Sequence, residues 1–159
     1  MAEHGVEKVR ELVAGEKIAM LTTLGADGSL ESRPMSLQET EFDGDLWFFA
    51  EADGGPAKSI AANPKVNVTT GSRSSWVSIA GEGIVVTDVA KKKELWNSGA
   101  EAWLPQGPED ASVVLIKVDG SSAEYWDTPG AVTTAISFVK AKATGERTDV
   151  GENEKVVLP

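Results

Sequence analysis

Between residues 18 and 50 the sequence spells three apolar runs divided by tight-turn residues. They are Ile18 to Leu24, Leu30 to about Thr40, and Leu46 to Ala50. Gly25-Ala26-Asp27-Gly28 separates the first two and Asp43-Gly44-Asp45 precedes the third. Strands joined through such glycine- and aspartate-bearing turns pair as antiparallel hairpins. No crossover-length helix intervenes, which argues against an alternating βαβ chain and a doubly wound nucleotide fold. Further strand signals run from Val66 to Thr70, Trp76 to Thr87 and Ser112 to Val118, with Ala123 to Asp127 continuing or pairing with the last. The expected fold is mainly β with an α+β element order: an antiparallel, split β-barrel with peripheral helices.

Helices are expected at the ends and between the strands. Val6, Val9, Leu12 and Val13 recur at helical spacing before Gly15, giving a helix at 3–14. A short helix at 56–62 ends at Asn63-Pro64, where the residue before proline is pushed out of the helical region. Asp88 is the expected N-cap of a helix reaching Ser98. Pro129 suits the first turn of a last helix at 130–143, and the charged tail after Gly145 is expected to be extended. At 159 residues, without a repeat or linker, the chain is expected to be one domain.

Composition narrows the function classes. With no cysteine, a thiol nucleophile, a disulfide framework and a thiolate zinc site are excluded. His4 is the lone histidine, so a Ser-His-Asp triad or a histidine-rich metal site has no material. The net charge of -10 opposes binding to nucleic acid or anionic lipid. No apolar stretch reaches the roughly 20 residues that span a bilayer. Glu3, His4 and Glu7 do not read as a secretion signal, and a cytoplasmic location is expected. An anionic ligand must then be held by a local cluster of cations and N–H groups.

Three segments offer such chemistry. In Leu30-Glu31-Ser32-Arg33-Pro34-Met35, a fixed guanidinium stands beside a proline that is expected to open or bulge the ladder. That combination suits a phosphate; the plainer alternative is a surface Arg33 paired with Glu31. In Leu46-Trp47-Phe48-Phe49-Ala50, alternation sends Trp47 and Phe49 to one face and Phe48 to the other. One face is then core and the other a wall for a planar ligand, or the strand is buried on both. Gly54-Gly55-Pro56-Ala57-Lys58-Ser59 places glycines and a lysine before a helix, an anion site or an ordinary loop. Five tryptophans (Trp47, Trp76, Trp96, Trp103 and Trp126) exceed what core packing needs in a chain this short. Gly81-Glu82-Gly83 lacks the rest of a dinucleotide fingerprint. Lys91-Lys92-Lys93 reads as a solvated helix face.

Taken in order, these segments resemble the bacterial general stress protein 26 family, within the pyridoxamine 5'-phosphate oxidase-like group. The resemblance runs through Ala19-Met20-Leu21-Thr22-Thr23, Ser32-Arg33-Pro34-Met35 and Phe42 to Phe49. It continues through Asn63-Pro64-Lys65-Val66-Asn67-Val68, Glu94-Leu95-Trp96-Asn97, Glu124-Tyr125-Trp126-Asp127 and Thr144-Gly145-Glu146-Arg147, covering 16–158. It implies a homodimer with flavin mononucleotide (FMN) in two grooves between subunits. It implies Arg33 at the phosphate, and Pro34, Met35 and the strand Trp47, Phe48, Phe49, Ala50 along the flavin ring. Trp126, with Ser75 and Trp76, would belong to the partner's side of each groove. The sequence departs from the family at Pro56, where relatives usually carry a lysine, and at Ala50, where threonine is common. Either Lys58 substitutes from a shifted position or the affinity is reduced.

Two activities are compatible with this reading. One is an FMN-dependent oxidoreductase reduced by a donor such as a nicotinamide cofactor, in which the flavin carries the electron chemistry. The other is a non-catalytic, flavin-buffering stress protein. A groove too altered for flavin, leaving a structural dimer, is a third and weaker reading. True pyridoxamine 5'-phosphate oxidase activity is not expected, because the sequence offers no second basic cluster for a substrate phosphate.

Overall fold

The computed structural model describes residues 2–128, 130–147 and 151–159. Chain order is α1 (Ala2–Ala14), β1 (Ile18–Leu24), β2 (Leu30–Ser36), β3 (Asp45–Glu51), α2 (Gly55–Ala62), β4 (Lys65–Gly71) and β5 (Ser75–Val86). Then follow α3 (Val89–Leu95), α4 (Ser98–Trp103), β6 (Val113–Asp127), α5 (Ala131–Thr144) and β7 (Glu152–Val157). The seven strands form one antiparallel sheet in the order β2-β1-β4-β5-β6-β3, with β7 also paired to β6. This is a mixed α+β architecture of the split-barrel kind. Its terminal strands β2 and β3 curl back toward each other, and the Gln38 N–H donates to the Trp47 carbonyl at 3.1 Å across the gap.

The alternation of strand side chains sets the core. Leu21, Phe48, Val68, Val77, Ile79, Ile116, Val118 and Tyr125 point inward and are 0–2% exposed. Val9 and Val13 seat α1 against the sheet, and Ala57 and Ile60 seat α2. Full burial of such side chains is worth about 1.5–3 kcal/mol each.

Several expectations change. Pro34 does not open or bulge its ladder: β1 and β2 pair without a register shift from Ile18↔Ser36 to Leu24↔Leu30. The Gly25 N–H donates to the Ser29 carbonyl and the Leu37 N–H to the Lys17 carbonyl. Pairs of odd-numbered residues therefore carry the ladder bonds, and the nitrogen of Pro34 faces the free edge, where no N–H is needed. The strand ends at Ser36 rather than Thr40. The two signals from Ser112 to Asp127 are one strand, β6, with a register irregularity opposite Ala80/Gly81. The helix expected to reach Ser98 stops at Leu95, and α4 follows, with the Asn97 side chain accepting from the Ala100 N–H. The extended tail is β7, paired to β6. Pro129 lies outside the described residues.

Candidate functional site

The site is built where the two terminal strands face each other. On β2, Arg33 shares the inward-leaning face with Leu21 and Thr23 of β1. Its guanidinium donates through Nη1 to the Thr23 hydroxyl at 2.7 Å and to the Leu21 carbonyl at 3.2 Å. Among the described residues its Nη2 reaches only the Glu31 carboxylate, at 3.4 Å. Glu31 is largely solvated while Arg33 is mostly covered, at 63% and 22% side-chain exposure. One end of the fork is thus fixed by the protein, and the other holds a weak, exposed, exchangeable partner. Met35, two residues on along the same face, packs against the core.

On β3, the Ala52 N–H donates to the Ser112 carbonyl and the Gly120 N–H to the Gly44 carbonyl. Even-numbered residues of β3 therefore bond to β6, while the amides and carbonyls of Trp47 and Phe49 turn to the free edge facing β2. The Trp47 carbonyl is taken by Gln38. The Phe49 N–H and C=O stand at the edge as main-chain donor and acceptor for a planar, polar-rimmed ligand.

The side chains of β3 divide as alternation requires. The side chains of Phe48 and Ala50 point into the core, at 0% and 8% exposure. Trp47 and Phe49 lie on the outer face beneath α3. Phe49 meets Trp96 edge-on at 5.1 Å between ring centroids. Lys91 lies over the Trp47 ring at 4.7 Å and Lys117 at 5.7 Å. These two ammonium groups form a basic pair that sequence reasoning missed, because α3 and β6 are remote in the chain. Each has an acidic partner, Glu94 and Asp45, both at 3.3 Å.

The remaining candidates lie elsewhere. Lys58 is exposed on α2, the helix that follows β3. Ser75 opens β5 and bonds the Ser72 hydroxyl at 2.9 Å. Trp76 and Trp126 are direct cross-strand partners on the outer face, 43% and 39% exposed. Within one chain they stand apart from the β2–β3 groove, with β1 and β4 between Trp76 and β2. Lys92 overturns the reading of a solvated lysine run: it is 1% exposed, and its Nζ donates to the Asp110 and Val113 carbonyls at 3.1 and 2.8 Å.

Among the described residues no cluster of histidine, aspartate and glutamate is arranged for a metal, and no helix is long and apolar enough to cross a membrane. Known structures share this architecture. A protein assigned as general stress protein 26 from Jannaschia is 26% identical and superposes with a TM-score of 0.79, over 99% of this chain and all of its own. A general stress FMN/FAD-binding protein from Xanthomonas citri is 26% identical, with a TM-score of 0.69 over 81% of this chain and 92% of its own. The general stress protein 26 of Bacillus anthracis is 25% identical, with a TM-score of 0.68 over 77% and 93%. No curated protein matches the chain. The family model for pyridoxamine 5'-phosphate oxidase-like proteins matches residues 4–149, and the chain belongs to that family.

Proposed function

We propose that this protein binds FMN and works as a homodimer. The cofactor would lie in the groove between β2 and β3, closed by the outer sheet face of a second copy. The observation that carries this reading is Arg33: a guanidinium anchored at one end on Thr23 and Leu21 and weakly held at the other, beside the free β3 edge. A phosphate competes well for such a fork, because a doubly charged oxyanion outweighs one solvated carboxylate. Pro34, Met35 and the Phe49 main chain would line the ring, and Lys58 would approach from α2. Support for a second copy comes from the outer face, where Ile18, Met20, Trp76 and Trp126 are 53%, 40%, 43% and 39% exposed. The relative from Xanthomonas citri is described as FMN/FAD-binding.

Bound flavin supplies hydride and single-electron transfer. This chain's residues bind, orient and shield it. Oxidation of reduced nicotinamide under air, faster than with free FMN, would identify an oxidoreductase; no acceleration identifies a carrier.

FMN titrated against tryptophan fluorescence should quench it saturably, and the purified protein should show flavin absorption bands. Arg33→Ala should weaken FMN by about 2 kcal/mol, roughly 30-fold in Kd, through loss of a charge-assisted contact. Unchanged affinity would remove Arg33 from the site.

A further inference from the structure

Strand β1 carries no charged residue, and β2 carries two, Glu31 and Arg33. Alternation puts both on the face that also bears Leu21 and Thr23. In register Glu31 stands opposite Thr23, and Arg33 opposite Leu21. The Arg33 guanidinium leans diagonally from its own register position to the Thr23 hydroxyl, which accepts from Nη1 at 2.7 Å. Thr23 is 1% exposed, so this anchor is shielded from water. Leaning that way turns Nη2 toward the glutamate, whose Oε2 it meets at 3.4 Å. Glu31 lies one pair from the end of the ladder, and its side chain is 63% exposed. The carboxylate has water to retreat into, whereas the guanidinium is tied at two acceptors.

We propose that Glu31 is an internal competitor for the phosphate position, an autoinhibitory carboxylate that lowers the affinity for phosphorylated flavin and keeps that flavin exchangeable. This deepens the flavin-binding reading above and rests on it. The other role open to a neighbouring acid is to preorganise the arginine, and the geometry argues against it. Nη1 is already fixed by Thr23 and Leu21, so Glu31 adds no constraint that the anchor lacks. What the carboxylate occupies is the outward nitrogen, the one an oxyanion needs to complete a two-pronged contact. An incoming phosphate must therefore break the ion pair, and it then faces a displaced carboxylate that stays on the same strand face two residues away. A ligand without a phosphate leaves the pair intact and meets neither penalty. Glu31 thus acts against FMN and is neutral toward riboflavin, which has the same ring and no phosphate.

The test titrates FMN and riboflavin into the full chain and reads tryptophan fluorescence. Glu31→Gln keeps the shape of an exposed side chain, so its urea midpoint should match the parent's. It should tighten FMN about fivefold, the upper range for releasing an exposed ion pair, and leave riboflavin unchanged. The gain should shrink at high salt, which screens the pair. Glu3→Gln, at an exposed acid on α1, removes the same net charge and should not reproduce it. In an Arg33→Ala background the gain should be lost. Inorganic phosphate reads the same contact without the ring: it should raise the melting temperature of Glu31→Gln more than that of the parent. FMN affinity left unchanged or weakened by Glu31→Gln, or an equal gain for riboflavin, would overturn the competitor. The two readings fail separately. A parent that binds no FMN defeats the flavin reading, and the phosphate melts then decide for or against Glu31 by themselves. A parent that binds FMN and is indifferent to Glu31→Gln defeats only the competitor.

Discussion

Two glycines show how the same substitution carries different consequences in this sheet. A Cβ on Gly71 would stand 2.5 Å from Cδ1 of Trp76, but that indole is 43% exposed and free to swing outward. A Cβ on Gly81 would stand 2.2 Å from the Asp119 carbonyl, a backbone atom held within the β5–β6 pairing. Gly81→Ala should therefore destabilise the fold by about 3 kcal/mol, since the ladder itself must move. Gly71→Ala should cost under about 1 kcal/mol, and its main effect is to displace an indole from the outer band. Urea unfolding followed by circular dichroism ranks the two. Equal midpoints would mean that the irregularity at Gly81 yields more easily than its contacts imply.

At the scale of elements, α3 is tied down by a buried charge. Lys92 reaches through its helix to the Asp110 and Val113 carbonyls, fixing the segment between α4 and β6. Lys92→Met keeps the side-chain bulk and leaves both acceptors without their donor, so it should destabilise by about 2 kcal/mol. Lys93→Met, at an exposed ion pair with Glu109, should change stability by less than about 0.5 kcal/mol. The difference in urea midpoint between these neighbours checks the assignment. The sequence shows three lysines in a row, and nothing local tells which one finds two carbonyls some twenty residues on. The same limit governs the other misreadings. Turn residues and alternation revealed the hairpins, and placed Phe48 opposite Trp47 and Phe49, because both are properties of adjacent residues. Whether Pro34 interrupts a ladder depends on which edge of β2 is paired, and that is set by β1. The sequence left open whether the second half of β6 continues or pairs with the first, because the irregularity near Gly120 mimics a turn. β7 was hidden because its alternating Glu152, Glu154 and Val156 pattern gains meaning only beside β6. Arg33 was legible as an anion ligand by residue type, but its anchoring on Thr23 and Leu21 was not.

The whole molecule responds to pH through groups that join its layers. Lys8 on α1 pairs with Asp127 at the end of β6, and the hydrogen bond to that carboxylate raises the lysine above its usual 10.5 despite some desolvation. Tyr125 is pushed up from 10.0, first by burial and then by donating to Glu154 of β7 at 3.1 Å. Both groups hold their protons more tightly folded than unfolded. The stability they contribute is complete below their ordinary values and is lost as pH rises through the raised ones. On the acid side, hydrogen bonds from Ser29 and Ser112 lower Asp27 and Asp110, and Lys93 lowers Glu109. Their contribution is present above the ordinary carboxylate values and fades as pH falls below them. Melting temperature should thus be nearly level between about pH 6 and 9 and fall above about pH 10. Lys8→Met should lower stability at pH 7 by less than about 1 kcal/mol, since the pair is partly solvated. The decisive quantity is the difference between variant and parent across pH: in Lys8→Met with Tyr125→Phe the alkaline fall should be shallower. A fall as steep as the parent's would show that the seam joining α1, β6 and β7 does not set the alkaline limit.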